Sequence, residues 1–155
     1  MPDPELAKAG LAPVRKTIVV RRTPEEAFAV FTQRFGAWWP YTQFSIGEQE
    51  TAECGFEPRL GGELYERSRS GERSTWGSVR AWEPPRRFVL AWHPGQPAAE
   101  ATEVEVRFEP VAGGTRVTLE HRGWEALGPR AAESREGYEK GWVAVFETRY
   151  AQACA

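Results

Sequence analysis

The chain has 155 residues, with 20 basic and 22 acidic side chains and a net charge of −2. That length fits one domain able to bury a core without staples, and the evenly mixed charge argues against nucleic acid or an anionic membrane as partner. Cys54 and Cys154 stand far apart without ligand-like spacing; with no membrane-length apolar run and no signal-peptide pattern, this suits a reduced cytoplasmic protein with no metal site and no cofactor.

Residues 1–13, with three prolines and no periodicity, read as a flexible lead-in to a single domain over 14–155. From Val14 to Arg22 the pattern alternates, with Val14, Lys16, Ile18 and Val20 on one side, and predicts a first strand. The pairs Arg15-Lys16 and Arg21-Arg22 read as its wet face. Thr23-Pro24-Glu25-Glu26 then has the form of a helix start: a threonine cap, proline at the first position and a glutamate that completes a capping box. The helix presents Ala27, Phe28, Phe31 and Phe35 on one face and is expected to end near Gly36, before a short turn or helical piece at Trp38-Trp39-Pro40.

Six further strands are predicted near Thr51–Phe56, Glu63–Arg69, Ser74–Trp82, Arg87–Trp92, Glu103–Glu109 and Thr115–Arg122. The short connections favour antiparallel hairpins, since parallel crossovers need a dozen or more residues. Gly113-Gly114 supplies the positive φ of a tight hairpin. A last helix, from Pro129 or Ser134 to Ala153, carries an apolar stripe of Tyr138, Trp142, Val145, Phe146 and Tyr150. Beside it lie Gly137 and Gly141, each costing about 1 kcal/mol relative to alanine. Close packing of the helix on the sheet is the favoured reason for them, and room for a ligand the other.

This succession predicts an α+β helix-grip (START-like) fold, a curved antiparallel sheet of about seven strands wrapped around a long C-terminal helix. The chain resembles the activator of heat shock protein 90 ATPase homologue family, a branch of the SRPBCC superfamily, across about Val14 to Ala153. The resemblance is carried by Thr23-Pro24-Glu25-Glu26 with Phe28, Trp38-Trp39-Pro40, Pro58-Arg59-Leu60-Gly61-Gly62, Gly77 with Val79, Glu83-Pro84-Pro85, Gly114-Thr115-Arg116-Val117-Thr118-Leu119 and Gly141-Trp142. Family members often have a histidine three residues before the terminal Gly-Trp, where this chain has Tyr138. The resemblance implies a cavity between sheet and last helix that often holds apolar small molecules, without implying one chemistry.

Trp39, Trp76, Trp92, His121, Tyr138 and Trp142 are the candidate ligand-binding residues. Trp92 shares a strand face with Phe88 and Leu90, and an inward indole offers an apolar body plus one N–H to orient a ligand. His121 shares a face with Thr115, Val117 and Leu119, so its ring points where they point. Glu63 and Glu66 lie on opposite faces of their strand, which offers one of them an inward position with Arg59, Arg67 or Arg80 as its partner; a solvated place at the rim or surface is the alternative, and the more usual one for such charges. No nucleophile–base pair, metal cluster or phosphate loop can be assembled, and no catalytic residue is assigned. The expected function is therefore binding of a hydrophobic or aromatic small molecule, by a monomer or homodimer. Two alternatives stand beside it: a cyclase- or hydrolase-type enzyme using His121, and a co-chaperone regulating a heat-shock ATPase. Residues 1–13 are too short for the extra N-terminal domain of the family's co-chaperones, which makes a chaperone contact the weaker expectation.

Overall fold

The computed structural model describes residues 11–155; the first ten residues of the expected lead-in lie outside them. Seven strands form one antiparallel sheet: β1 (Val14–Val20), β2 (Thr51–Phe56), β3 (Glu63–Ser68), β4 (Arg73–Glu83), β5 (Arg87–Trp92), β6 (Thr102–Val111) and β7 (Gly114–Arg122). Their spatial order is β1-β7-β6-β5-β4-β3-β2, so every neighbour is a hairpin partner except β1, which closes on β7. Register shifts near Thr51, Leu64 and Val79 bend the β2–β5 half, as extra residues on one strand of a pair do. Within that half, a Cβ on Gly77 would lie 1.8 Å from the Ala91 carbonyl oxygen. Only glycine lets β4 and β5 approach beside Trp76.

Helix α1 (Pro24–Phe31) opens as its sequence predicts. The Thr23 hydroxyl accepts the Glu26 amide at 3.1 Å, and the Glu26 carboxylate accepts the Thr23 amide at 3.3 Å. It stops earlier than expected, at Phe31, and the chain starts afresh as the single turn α2 (Phe35–Trp38). Phe28 packs edge-on to Trp82 and Phe88, and Phe31 meets Trp38, Phe88 and Tyr150. This aromatic block plugs one end of the curved sheet.

The last helix is not uniform. Tight 3₁₀ turns run from Trp124 to Arg130, α3 covers Ala131–Trp142, a π-helical stretch follows over Val143–Tyr150, and one α turn ends at Ala153. The residues it turns inward, Tyr138, Trp142, Phe146, Tyr150 and Cys154, stand four apart. A turn of 3.6 residues overshoots a four-residue repeat by about 40° at each step, whereas the wider i to i+5 turn follows it more closely. The π-helical stretch thus keeps Phe146 and Tyr150 aimed at the core, where both are fully buried. The Tyr150 hydroxyl donates to the Ala27 carbonyl at 2.7 Å and locks this end of the helix to α1. Lys16 belongs to the inner face of β1 rather than its wet face. It reaches under α3 to pair with Glu139 at 2.9 Å.

The outer face of the sheet carries an ion lattice centred on Glu105, whose side chain is 4% exposed and meets Arg87, Arg107 and Arg122 at 2.6–2.9 Å. Burial works to raise its pKa, but hydrogen bonds from Arg107 and Arg122 outweigh it and hold the carboxyl below its ordinary 4.5. Such a group stabilises the fold above its unfolded pKa and loses that contribution as pH falls through the folded one. Glu105→Gln is expected to cost on the order of 1 kcal/mol at neutral pH. Urea denaturation of both proteins is expected to show the difference intact above 4.5 and vanishing as the pH drops below it.

Candidate functional site

Between the other end of the sheet and α3 lies a cavity of about 460 Å³. Trp39, Trp76, Trp92 and Trp142 supply its broad walls, with Tyr138 and Val145 from the last helix and Phe44, Ser45 and Ile46 from the loop after α2. The four indoles touch one another at centroid distances of 5.3–5.9 Å, Trp39 meeting the other three. Each brings an N–H that is costly to bury unpaired, and the protein satisfies each one internally.

The Trp39 indole donates to the Phe44 carbonyl at 2.8 Å and folds the loop over its own ring. The Trp76 indole donates to Glu66 at 2.6 Å. The Trp92 indole donates to the Tyr138 hydroxyl at 3.0 Å, and that of Trp142 to His121 Nδ1 at 3.0 Å. The expectation that the Trp92 N–H orients a ligand is thereby corrected: strand β5 places it against α3.

His121 lies behind this wall and does not line the cavity. Its Nδ1 accepts from Trp142, so the ring proton sits on Nε2, 2.7 Å from the Thr102 hydroxyl, which itself donates to the Trp92 carbonyl. Donors and acceptors match in one sense only, which fixes the neutral Nε2–H tautomer. Burial pushes the pKa down to about 3. Trp124 lies tilted over the ring at 4.2 Å; its own N–H is, among the described residues, the buried side-chain polar atom without a partner.

Glu66 is the carboxylate of its strand that turns inward, 4% exposed. None of the arginines expected as partners reaches it. One oxygen accepts the Ile46 amide at 2.7 Å and the Trp76 indole, and the other accepts the Gly47 amide at 2.9 Å and the Thr51 hydroxyl at 3.2 Å. Because Thr51 donates to Glu66, Ser45 must donate to Thr51, 2.7 Å away. One buried carboxylate thus ties the cavity loop and the Trp76 wall to β3. Sequence periodicity turns one of Glu63 and Glu66 inward without saying which, and the partners of Glu66 are amides of a loop with no periodicity to read.

Gly137 and Gly141 are also corrected. Both line the cavity; a Cβ on Gly137 meets nothing within 4 Å, and one on Gly141 meets only Phe44, at 3.8 Å. They leave space open rather than letting helix and sheet close up. The thiols take no part in the site: burial, then Glu66 and Glu53, push Cys54 up to about 12, and burial raises Cys154.

A curved seven-stranded sheet closed on a long C-terminal helix, with a cavity between them, defines a helix-grip protein. The chain matches the family described as Activator of Hsp90 ATPase homolog 1-like protein over residues 21–152, and it belongs to that family. No curated protein matches it. Among solved structures it resembles CalC, a self-sacrificing resistance protein from Micromonospora echinospora, at 28% identity and a TM-score of 0.69, over 91% of this chain and 92% of CalC. It also resembles the anthrahydroquino-γ-pyrone synthase Txn09 at 30% identity and a TM-score of 0.63, over 93% and 97% of the two chains. The Aha1 dimer from Colwellia psychrerythraea shares the fold at 15% identity and a TM-score of 0.59, over 90% and 97%. No helix among the described residues is long and apolar enough to cross a membrane.

Two outcomes check this geometry. Glu66→Gln leaves one acceptor oxygen where four donors converge, and is expected to cost roughly 2–4 kcal/mol; hydrogen exchange is expected to speed up at the Ile46 and Gly47 amides before the sheet opens. The His121 ring is expected to give nitrogen NMR shifts of the Nε2–H tautomer, unchanged from pH 5 to 8. Since its folded pKa is depressed, its contribution to stability is complete above 6.5 and drains away as pH falls towards about 3.

Proposed function

We propose that this protein binds a planar, apolar or aromatic small molecule in the cavity between its sheet and α3. The observation that carries the reading is the wall itself. Four indoles whose N–H groups are all engaged inside the protein present faces and edges to the cavity, and such a lining favours flat π-systems over water. The open space over Gly137 supports the same reading, because two glycines in a helix together cost about 2 kcal/mol and offer no packing in return. The name of one relative points the same way: Txn09 is a synthase whose name specifies an anthrahydroquino-γ-pyrone.

The enzyme alternative rested on His121 as acid or base. A general base needs a lone pair within reach of the substrate proton, and here Nδ1 is occupied by Trp142 and Nε2–H by Thr102. Binding, rather than proton transfer through this ring, is what the arrangement supports. The co-chaperone alternative gains no support from the Colwellia neighbour, which at 15% identity shares only the fold.

Flat aromatic probes are expected to quench the tryptophan fluorescence of the freshly purified protein, and native mass spectrometry to reveal any co-purified ligand. Gly137→Ala is expected to raise stability by up to about 1 kcal/mol while weakening probe affinity roughly three- to tenfold. Gly137→Leu, whose side chain projects into the same open space, is expected to abolish binding in a protein that still melts cooperatively. Undiminished binding in the leucine variant would place the ligand elsewhere.

A further inference from the structure

The cavity of about 460 Å³ has no charged side chain among its lining residues, and its four indole N–H groups are spent. Beside the Ser134 hydroxyl, what it keeps is the hydrogen of the Tyr138 hydroxyl. Indole nitrogen only donates, so in the Trp92–Tyr138 bond the phenol oxygen is the acceptor and its own O–H remains available. No described residue accepts that hydrogen. The ring is held in place by Trp142, stacked at 6.2 Å, and by His121, edge-on at 4.6 Å. The hydroxyl is therefore a positioned donor in a mainly apolar lining, whose other hydroxyls are Ser45, engaged with Thr51, and Ser134.

We propose that Tyr138 is a specificity-determining residue that selects uncharged aromatic ligands bearing a hydrogen-bond-accepting oxygen, an aryl ketone being the simplest case. This deepens the aromatic-pocket reading and rests on it. The donor is neutral and stays so: burial raises the Tyr138 pKa, opposed only by the hydrogen bond from Trp92. By accepting from Trp92, the oxygen also becomes a better donor, because chained hydrogen bonds polarise one another. A carboxylate or phosphate would shed its hydration here and meet no cation. Glu66, which accepts from the indole of Trp76 and the amide of Ile46, two lining residues, adds a negative charge behind that wall and no cation. A hydrocarbon would fit but leave the O–H unpaired. A ketone oxygen satisfies it without bringing charge.

The test uses fluorenone, fluorene and a fluorenone carboxylate as probes, three molecules of one shape that differ in the group offered to Tyr138. Calorimetric titration of the wild-type protein and of Tyr138→Phe gives the affinity ratio of fluorenone to fluorene in each. The ratio is expected to fall roughly three- to tenfold in the variant, the worth of one neutral hydrogen bond. The infrared carbonyl band of bound fluorenone is expected at lower frequency than in hydrocarbon solvent. That shift is expected to disappear in Tyr138→Phe and to persist in Trp92→Phe, which keeps the phenol. The carboxylate is expected to bind the wild type at least about tenfold more weakly than the ketone, the difference made by an unpaired charge. An unchanged ratio in Tyr138→Phe, an unshifted band in the wild type, or a carboxylate that binds as tightly as the ketone would overturn the proposal. So would discrimination lost only in Ser134→Ala, which would move the donor to the neighbouring hydroxyl. If fluorene and fluorenone both bind with their ratio untouched, only the role of Tyr138 falls. If neither binds, the aromatic pocket falls with it.

Discussion

A cavity built from indole carries an obligation that one built from leucine does not. Every ring contributes a donor that loses water on burial, and the site is organised around where those four hydrogens go. Trp39 sends its hydrogen to the loop it faces, and the loop closes. Trp76 sends its hydrogen to Glu66, which gathers two loop amides around the same carboxylate. Trp142 sends its hydrogen to His121 and so dictates the tautomer of a ring in the next layer. Trp92 crosses to α3 and turns a phenol into a donor with one free direction. The polar groups behind the wall are thus acceptors for the wall, and His121, on which the enzyme alternative rested, belongs to this set.

The last helix divides its work along its length. Its C-terminal half is bound to α1 and the aromatic block through Tyr150, which bonds to Ala27, meets Phe31 and Trp38 and stacks on the fully buried Phe146. Its N-terminal half holds the cavity side, where Gly137 and Gly141 remove bulk while Tyr138 and Trp142 supply it four residues apart. Rigid anchoring at one end permits openness at the other, since the helix axis is fixed by contacts that a ligand never touches.

Much of this was legible in the sequence, and what was not has physical reasons. The bounds of β2 and β5 can be read directly, because glycine or proline punctuates them and their hairpins are short. The capping box before α1 reads off four letters. The break at Thr32–Arg34 does not, because Phe35 continues the apolar spacing of Phe28 and Phe31 across it. Alternation along β3 turns one glutamate inward, yet the acceptor role of Glu66 depends on loop amides brought from about twenty residues away. Trp92, Tyr138 and Trp142 meet around the cavity as their faces imply, and Trp39 and Trp76, for which no face is read, join them there. His121 points the same way but stands one layer deeper, a difference of depth that periodicity does not encode. The glycines of α3 give the same pattern whether they bring a helix closer or leave a space, and only the opposite wall decides.

The π-helical stretch sets a rule for how this chain can change in length. Loops such as the one between β5 and β6 absorb insertions at little thermodynamic cost. Losing one residue between Val143 and Tyr150 would instead rotate everything downstream by the turn of one residue, which is about 100° in an α-helix and somewhat less in the wider π turn. Tyr150 would swing away from the Ala27 carbonyl, and Cys154 would be carried out of the core with it. Within this helix the spacing between Trp142 and Tyr150 is therefore fixed by geometry more strictly than most of the side chains between them. Divergence in this region is expected to proceed by substitution, with gaps confined to the turns.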